Sequence, residues 1–450
     1  MSDRLSGIAY IPLSPQDIEE MLKAVGAASM EDLFAHIPAH LKFRGSLPLP
    51  PAASEQEVRA ALTALAEKNC VPALSRTFLG GGAYSHYQSA VVDALIQRSE
   101  FFTSYTPYQP ETSQGNLQAI FEYQTMMCQL TGLDIANASL YEGATSLVEA
   151  VLAASRALPD RREIFVGRTL HPHYRQVLAA YLQNFDFTIA EVPFTPSGQM
   201  DLGWLSRRVS EKTLCVAAGY PNYFGVVEPL LELSTLLKPK GALAISVTME
   251  ALALGLLKPP GELGVEFACG EAMSFGLPLS YGGPYLGFLA AREAHLRRMP
   301  GRFVGETVDT EGKRGFVLTL STREQHIRRE KATSNICSNE ALCALSACIA
   351  MALLGRKGLR ELALLNHKRA VFLMEGLTGT KKAKRTFGAP FFNEFTLTLP
   401  KAGALEQSGF IFGPALEVDY PELKDAYLFA VTEMNEPPEL DAIVRSLEGL

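Results

Sequence analysis

Five short apolar runs, set apart by stretches with helical spacing, constrain this chain more than any other feature. They are Glu163–Val166, Phe187–Val192, Thr213–Ala217, Leu243–Val247 and Tyr285–Ala290. Between and before them, Ser146–Ala157 and Pro172–Leu182 repeat apolar residues at helical intervals. Strands apolar along their whole length, joined by helices, predict a mostly parallel sheet covered on both faces. At 450 residues the chain also exceeds the ~250–300 over which one core keeps growing, so more than one domain is expected. The α/β pattern occupies about residues 66–335. Beyond it come a long apolar helix, Glu340–Leu354, and strand candidates at Phe391–Leu399 and Ala426–Thr432, which predict a smaller α+β domain over 336–450.

Residues 1–65 differ. Ser14-Pro15-Gln16-Asp17, Ser29-Met30-Glu31-Asp32 and Ser54-Glu55-Gln56-Glu57 each place a hydroxyl three residues before an acid. That spacing lets the two side chains satisfy the free N–H groups of a helix start reciprocally. Leu47-Pro48-Leu49-Pro50-Pro51 cannot be helical and is expected to run extended. These features predict an arm of short helices that clasps something else.

Several function classes are excluded by charge and composition. A net charge of −7 argues against nucleic-acid binding, which needs a surplus of Lys and Arg on one face. The seven cysteines are scattered and form no C-x-x-C pair, so reduced, mostly buried thiols are expected rather than a disulfide framework or a zinc site. No segment reaches the ~20 uninterrupted apolar residues of a membrane span, and the first residues do not resemble a signal peptide. A cytoplasmic protein is the expectation.

The local motifs go further. Tyr105-Thr106-Pro107-Tyr108-Gln109-Pro110-Glu111-Thr112-Ser113-Gln114-Gly115 uses its prolines to hold an extended path that displays Tyr108 and Gln109. The helix after it, Asn116 to Thr131, stops at Gly132. This string resembles the signature of the glycine cleavage system P-protein, the decarboxylating glycine dehydrogenase. Phe78–Tyr84, Leu252–Glu262, Ser280–Phe288 and Gly312–Asn339 resemble stretches of its separately encoded alpha subunit, and the likeness runs from the arm to the C-terminus. The resemblance implies an aspartate-aminotransferase-like (fold type I) large domain and a role in glycine decarboxylation.

It also implies chemistry that needs a lysine for the aldehyde of pyridoxal phosphate, an acid for the pyridinium nitrogen, and helix N-terminal N–H groups for the phosphate. The family's lysine lies in a His-Lys-Thr-Phe run ahead of Pro and Gly-Gly-Pro. Counting back from Phe275, Pro278 and Gly282-Gly283-Pro284 places Ala272-Met273-Ser274 there, so Met273 stands where the lysine is expected. After Leu243–Val247 the only acid is Glu250, one or two residues out of place. Gly143-Ala144-Thr145 opens a helix and is the candidate anion site, although the same residues also make a plain helix start. By resemblance, a beta subunit carries the pyridoxal phosphate, two alpha and two beta chains assemble, and the lipoylated H-protein receives the aminomethyl group derived from glycine. Tyr105, Thr106, Tyr108, Gln109, Glu111 and Gln114 are the candidates for reaching the partner's site; bracing the subunit interface is the competing role.

Weaker candidates are Gly80-Gly81-Gly82, His86 and Tyr87, the pair His171 and His173, and the charged run His326–Lys331. The basic run Lys381–Arg385 predicts a solvated turn. Two other readings remain open at this point: a self-sufficient pyridoxal-phosphate enzyme using Lys258, and a purely structural partner of the beta chain.

Overall fold

The computed structural model describes residues 13–69, 73, 76–332, 334–336 and 338–450. The chain divides into two units, Met1–Val71 and Pro72–Leu450.

In the first unit all three predicted caps are formed. Ser14, Ser29 and Ser54 accept from the backbone N–H groups of Asp17, Asp32 and Glu57, and each acid accepts in return from the serine N–H. They start helices at Pro15–Ala24 and Glu55–Ala66 and a 3₁₀ turn at Met30–Phe34. Residues 46–54 form neither helix nor strand. None of these three elements buries a residue, and Met21, Val25, Phe34, Phe43 and Leu62 are exposed.

The second unit begins with β1 (Thr77–Leu79) and contains a seven-stranded sheet. Its strands are β2 (Ile135–Ala136), β3 (Glu163–Gly167), β4 (Thr188–Val192), β5 (Thr213–Gly219), β6 (Leu243–Thr248), β7 (Phe267–Glu271) and β8 (Gly287–Ala291), in the spatial order β2-β8-β7-β6-β5-β3-β4. β3 to β7 run parallel, while β8 is antiparallel to β7 and β2 to β8. The expected mostly parallel sheet is present, with two strands, β2 and β7, that the apolar pattern did not single out. All seven residues of β5 are buried. Cys215 and Ala217 point to the side of Leu147, Val148 and Val151, while Val216 and Ala218 point to Leu230, Leu233 and Leu237. The strand's two-residue period thus supplies both faces at once.

Next come the hairpin β9 (Phe303–Val308) and β10 (Arg314–Thr319), then the helix Ala341–Gly379. That helix is broken at Gly355 (φ 60°), just past the predicted end at Leu354, and resumes. By length and composition it could cross a bilayer, yet Ala344, Ala347, Cys348 and Met351 pack into a core cluster with Met273 and Phe275. β11 (Lys384–Arg385), β12 (Glu394–Thr398) and β14 (Ala426–Ala430) form a small antiparallel sheet, covered by Leu373, Leu377, Leu440 and Ile443. β13 (Ile411–Gly413) pairs in parallel with β1. The basic run is only partly a solvated turn: Lys381 and Lys382 are exposed, but Ala383 is buried and β11 pairs with Leu397 and Thr398. Cys128, Cys215, Cys269, Cys343 and Cys348 are unpaired, and all but Cys128 are buried; Cys70 and Cys337 lie outside the described residues.

Candidate functional site

Loops at the carboxyl ends of β3, β5, β6 and β7 meet the segment Gly80–His86, the position at which parallel α/β sheets bind ligands. The helix Pro172–Leu182 opens here with His171. His171 Nε2 donates to Gly81 O at 2.8 Å, and Nδ1 accepts from the His173 N–H at 3.0 Å, so the ring is held as one tautomer. Burial pushes its pKa down to about 4, leaving it neutral. Tyr223, after β5, stands edge-on to it at 4.6 Å. Gly80, Gly81, His171, His173, Tyr223 and Thr432 are among the residues lining a cavity of about 520 Å³.

Below this cavity lies a cluster of buried charge. His86 Nε2 is 2.9 Å from Glu250 Oε2, and its Nδ1 is 3.0 Å from Glu433 Oε2. Burial opposes the imidazolium, but the two carboxylates outweigh it and raise the pKa to about 10. Glu433 responds in kind: burial would raise it, while the bonds and charge of His86 bring it down to about 2. Beside them Glu394 accepts from the Gly81 N–H at 2.6 Å and from Tyr84 Oη at 3.1 Å, and burial pushes its pKa up to about 8. Tyr87, by contrast, is 68% exposed.

The candidate anion site opens the helix Gly143–Ala157, and its Gly143 and Thr145 donors are already engaged. The Thr145 N–H and hydroxyl donate to the Glu142 carboxylate at 3.1 and 2.9 Å. The Gly143 N–H donates to Glu271 Oε2 at 3.1 Å. Met273 follows two residues after Glu271 and is 1% exposed, packed in the core. Glu250, the displaced acid, is bonded to His86 and also caps the Leu252 N–H at 3.0 Å. A lysine-bound pyridoxal phosphate does not fit these residues: there is no amine at position 273, the helix start holds two carboxylates, and the acid is engaged by a histidine. Lys258 sits on the surface, 3.8 Å from Glu262. Both ring nitrogens of His171 are taken by backbone, and the described residues contain no cluster of three or more His, Cys, Asp or Glu able to hold a metal ion.

A second locus joins two motifs that lie far apart in sequence. Tyr108 accepts at 3.0 Å from Arg302 Nη2 and stands edge-on to His326 at 6.4 Å. Arg302 is also 3.8 Å from Glu324, which lies 3.6 Å from His326. Tyr108, Glu324, Gln325, His326, Arg329 and Ile336 line a cleft of about 360 Å³. Tyr105 is 74% exposed, Thr106 half-buried, and Gln109 and Glu111 exposed. Gln114, itself exposed, reaches across to β10: its amide donates to Phe316 O at 2.9 Å and accepts from the Phe316 N–H at 2.8 Å, clipping the motif to that strand.

Sequence reasoning missed Glu271, Glu433, Glu394 and Arg302. Glu271 alone left a local signal, an acid inside the apolar run Phe267–Met273; the others find their partners only through the fold.

The glycine cleavage system P-protein family matches residues 8–447. The chain is 47% identical to the probable glycine dehydrogenase (decarboxylating) subunit 1 of Desulfotalea psychrophila, over 98% of each chain. It is 46% identical to the protein of that name from Geobacillus thermodenitrificans, over 97% of this chain and 98% of the relative. A crystal structure of an inhibitor-bound glycine decarboxylase (P-protein) of the glycine cleavage system superposes with a TM-score of 0.89 at 43% identity, over 98% of this chain and 100% of that one. A sphingosine-1-phosphate lyase from Burkholderia pseudomallei shares the fold alone, with a TM-score of 0.66 at 18% identity over 90% of this chain and 92% of that one. The chain belongs to the glycine cleavage system P-protein family.

Proposed function

We propose that this chain is the non-cofactor alpha subunit of a heteromeric glycine decarboxylase. Its partner, a beta subunit, carries pyridoxal phosphate, and the complex decarboxylates glycine and passes the aminomethyl group to the lipoyl arm of H-protein. The observation that carries this reading is Met273, buried where the family's lysine is expected, since a thioether cannot form the bond to the cofactor aldehyde. The naming of the curated relatives as subunit 1 supports a second chain.

In this reading the alpha chain contributes shape and polar groups. Tyr105, Thr106, Tyr108, Gln109 and Glu111 form a wall of the partner's active site, and Gln114 holds that wall in place. The body keeps a large domain over 66–335 and a small one over 336–450. The arm, which exposes Met21, Val25, Phe34, Phe43 and Leu62, clasps the beta subunit in a cytoplasmic complex of two alpha and two beta chains.

The test is the visible absorbance spectrum of the purified chain after incubation with pyridoxal phosphate, followed by borohydride reduction. The expected result is no lysine-bound band and no reduced adduct. A stable band with one lysine labelled, Lys258 or another, would make this chain an enzyme in its own right.

A further inference from the structure

The start of the helix Gly143–Ala157 is an anion site in electrostatic terms, because unpaired N–H groups and the helix dipole both favour negative charge there. Glu271 fills it from inside the protein. The residue is 2% exposed, at the end of β7. Its Oε2 accepts from the Gly143 N–H at 3.1 Å, and its Oε1 accepts from the N–H groups of Met273 at 3.1 Å and Leu286 at 2.7 Å. One carboxylate thus ties together the helix start, the loop after β7 and the entry to β8. The Thr145 donors are met separately by Glu142. Space is equally closed: a Cβ on Gly143 would lie 2.1 Å from Tyr174 Oη and 3.0 Å from Gly270 C.

We infer that Glu271 is a resident internal anion, a side-chain carboxylate standing where the fold would seat a phosphate. It completes the pocket without any phosphorylated ligand and excludes one by charge and by volume. Burial pushes this acid up to about 7, while the three N–H bonds pull the other way and favour the charged form. Above that pH the carboxylate is the form the site holds. The inference rests on the reading that the cofactor lies on the partner, and it adds what replaces the cofactor's phosphate on this chain.

The experiment uses the full-length chain at pH 8 and constant ionic strength, with inorganic phosphate as the probe and chloride as the control. Wild type should show no phosphate-specific shift in Tm and no broadening of the ³¹P resonance. Glu271→Ala should unfold at a lower temperature, and phosphate, unlike chloride, should restore part of the loss. A ligand at 100 times its Kd would raise the folded-to-unfolded ratio about 100-fold. Glu271→Ser also removes the charge and frees the volume while keeping a small polar side chain; should Glu271→Ala fail to fold, phosphate-specific stabilisation of Glu271→Ser is the result that supports the inference. Phosphate binding by wild type, or the absence of any phosphate-specific gain in the variant that folds, overturns it. A lysine adduct on wild type would instead sink the assignment of the cofactor to the partner, so the two failures are distinguishable.

Discussion

His86 Nε2 lies 2.9 Å from Glu250 Oε2, with the two side chains only 5% and 3% exposed. Glu433 holds the other ring nitrogen, so both nitrogens donate to carboxylates and the ring is a buried imidazolium between two acids. Removing one member of a buried ionic group costs far more than losing a surface pair, because the remaining charges are left uncompensated. His86→Ala is expected to lose about 3–5 kcal/mol, measured as a lower denaturation midpoint. An unchanged midpoint would mean that the cluster is not ionised.

The same groups set the pH response. His86, raised to about 10, contributes stability fully present below its unfolded value near 6.5 and lost as pH rises through 10. Glu433, lowered to about 2, contributes stability present above about 4.5 and lost as pH falls through 2. Glu271 and Glu394, raised to about 7 and about 8, act with His86: their contributions are present below 4.5 and fade as pH rises through those values. Thermal unfolding should therefore show stability declining from pH 6 to pH 9. Glu394→Gln, which removes one of these acids, should flatten that decline.

Gln114 makes two complementary hydrogen bonds with the backbone of Phe316. Gln114→Ala leaves both backbone groups without that partner, at a cost of about 1–3 kcal/mol. Amide exchange at Phe316 should accelerate while exchange in the seven-stranded sheet does not.

If the Tyr105–Glu111 segment walls the partner's site, Tyr108→Ala and Gln109→Ala should each lower turnover tenfold or more, about 1.4 kcal/mol in barrier, with the complex intact by gel filtration. Unchanged turnover would mark the segment as scaffolding.

Gly225 has φ +81°, and a Cβ there would lie 2.0 Å from the carbonyl oxygen of Glu394. Backbone cannot retreat as a flexible side chain can, so Gly225→Ala is expected to lose about 4 kcal/mol or more and to yield little folded protein. A normal circular dichroism melt would contradict this.

Elements governed by neighbours in sequence were legible. The serine caps, the stop at Gly132 and the apolar strands β3, β5 and β6 all lie where local spacing puts them. What decided the rest was distance along the chain. Glu250 looked like a misplaced acid because its partner His86 is 164 residues away, and Glu433 gave no signal at all, 347 residues from the same ring. Gly143–Thr145 looked open because the Gly143 N–H is met by Glu271, 128 residues on. Tyr108 and His326 were separate candidates until the turn of β9 into β10 brought Arg302 between them.

The capped arm has a consequence for assembly. Each of its three turns is closed by a reciprocal pair of side-chain and backbone bonds, so its local shape does not wait for a second surface. A segment that arrives already shaped loses less conformational entropy on association than one that must first become ordered. If the arm clasps the partner subunit as proposed, substituting Ser14, Ser29 and Ser54 together would leave every apolar contact available and still slow the joining of the subunits, because the arm would have to become ordered at the encounter.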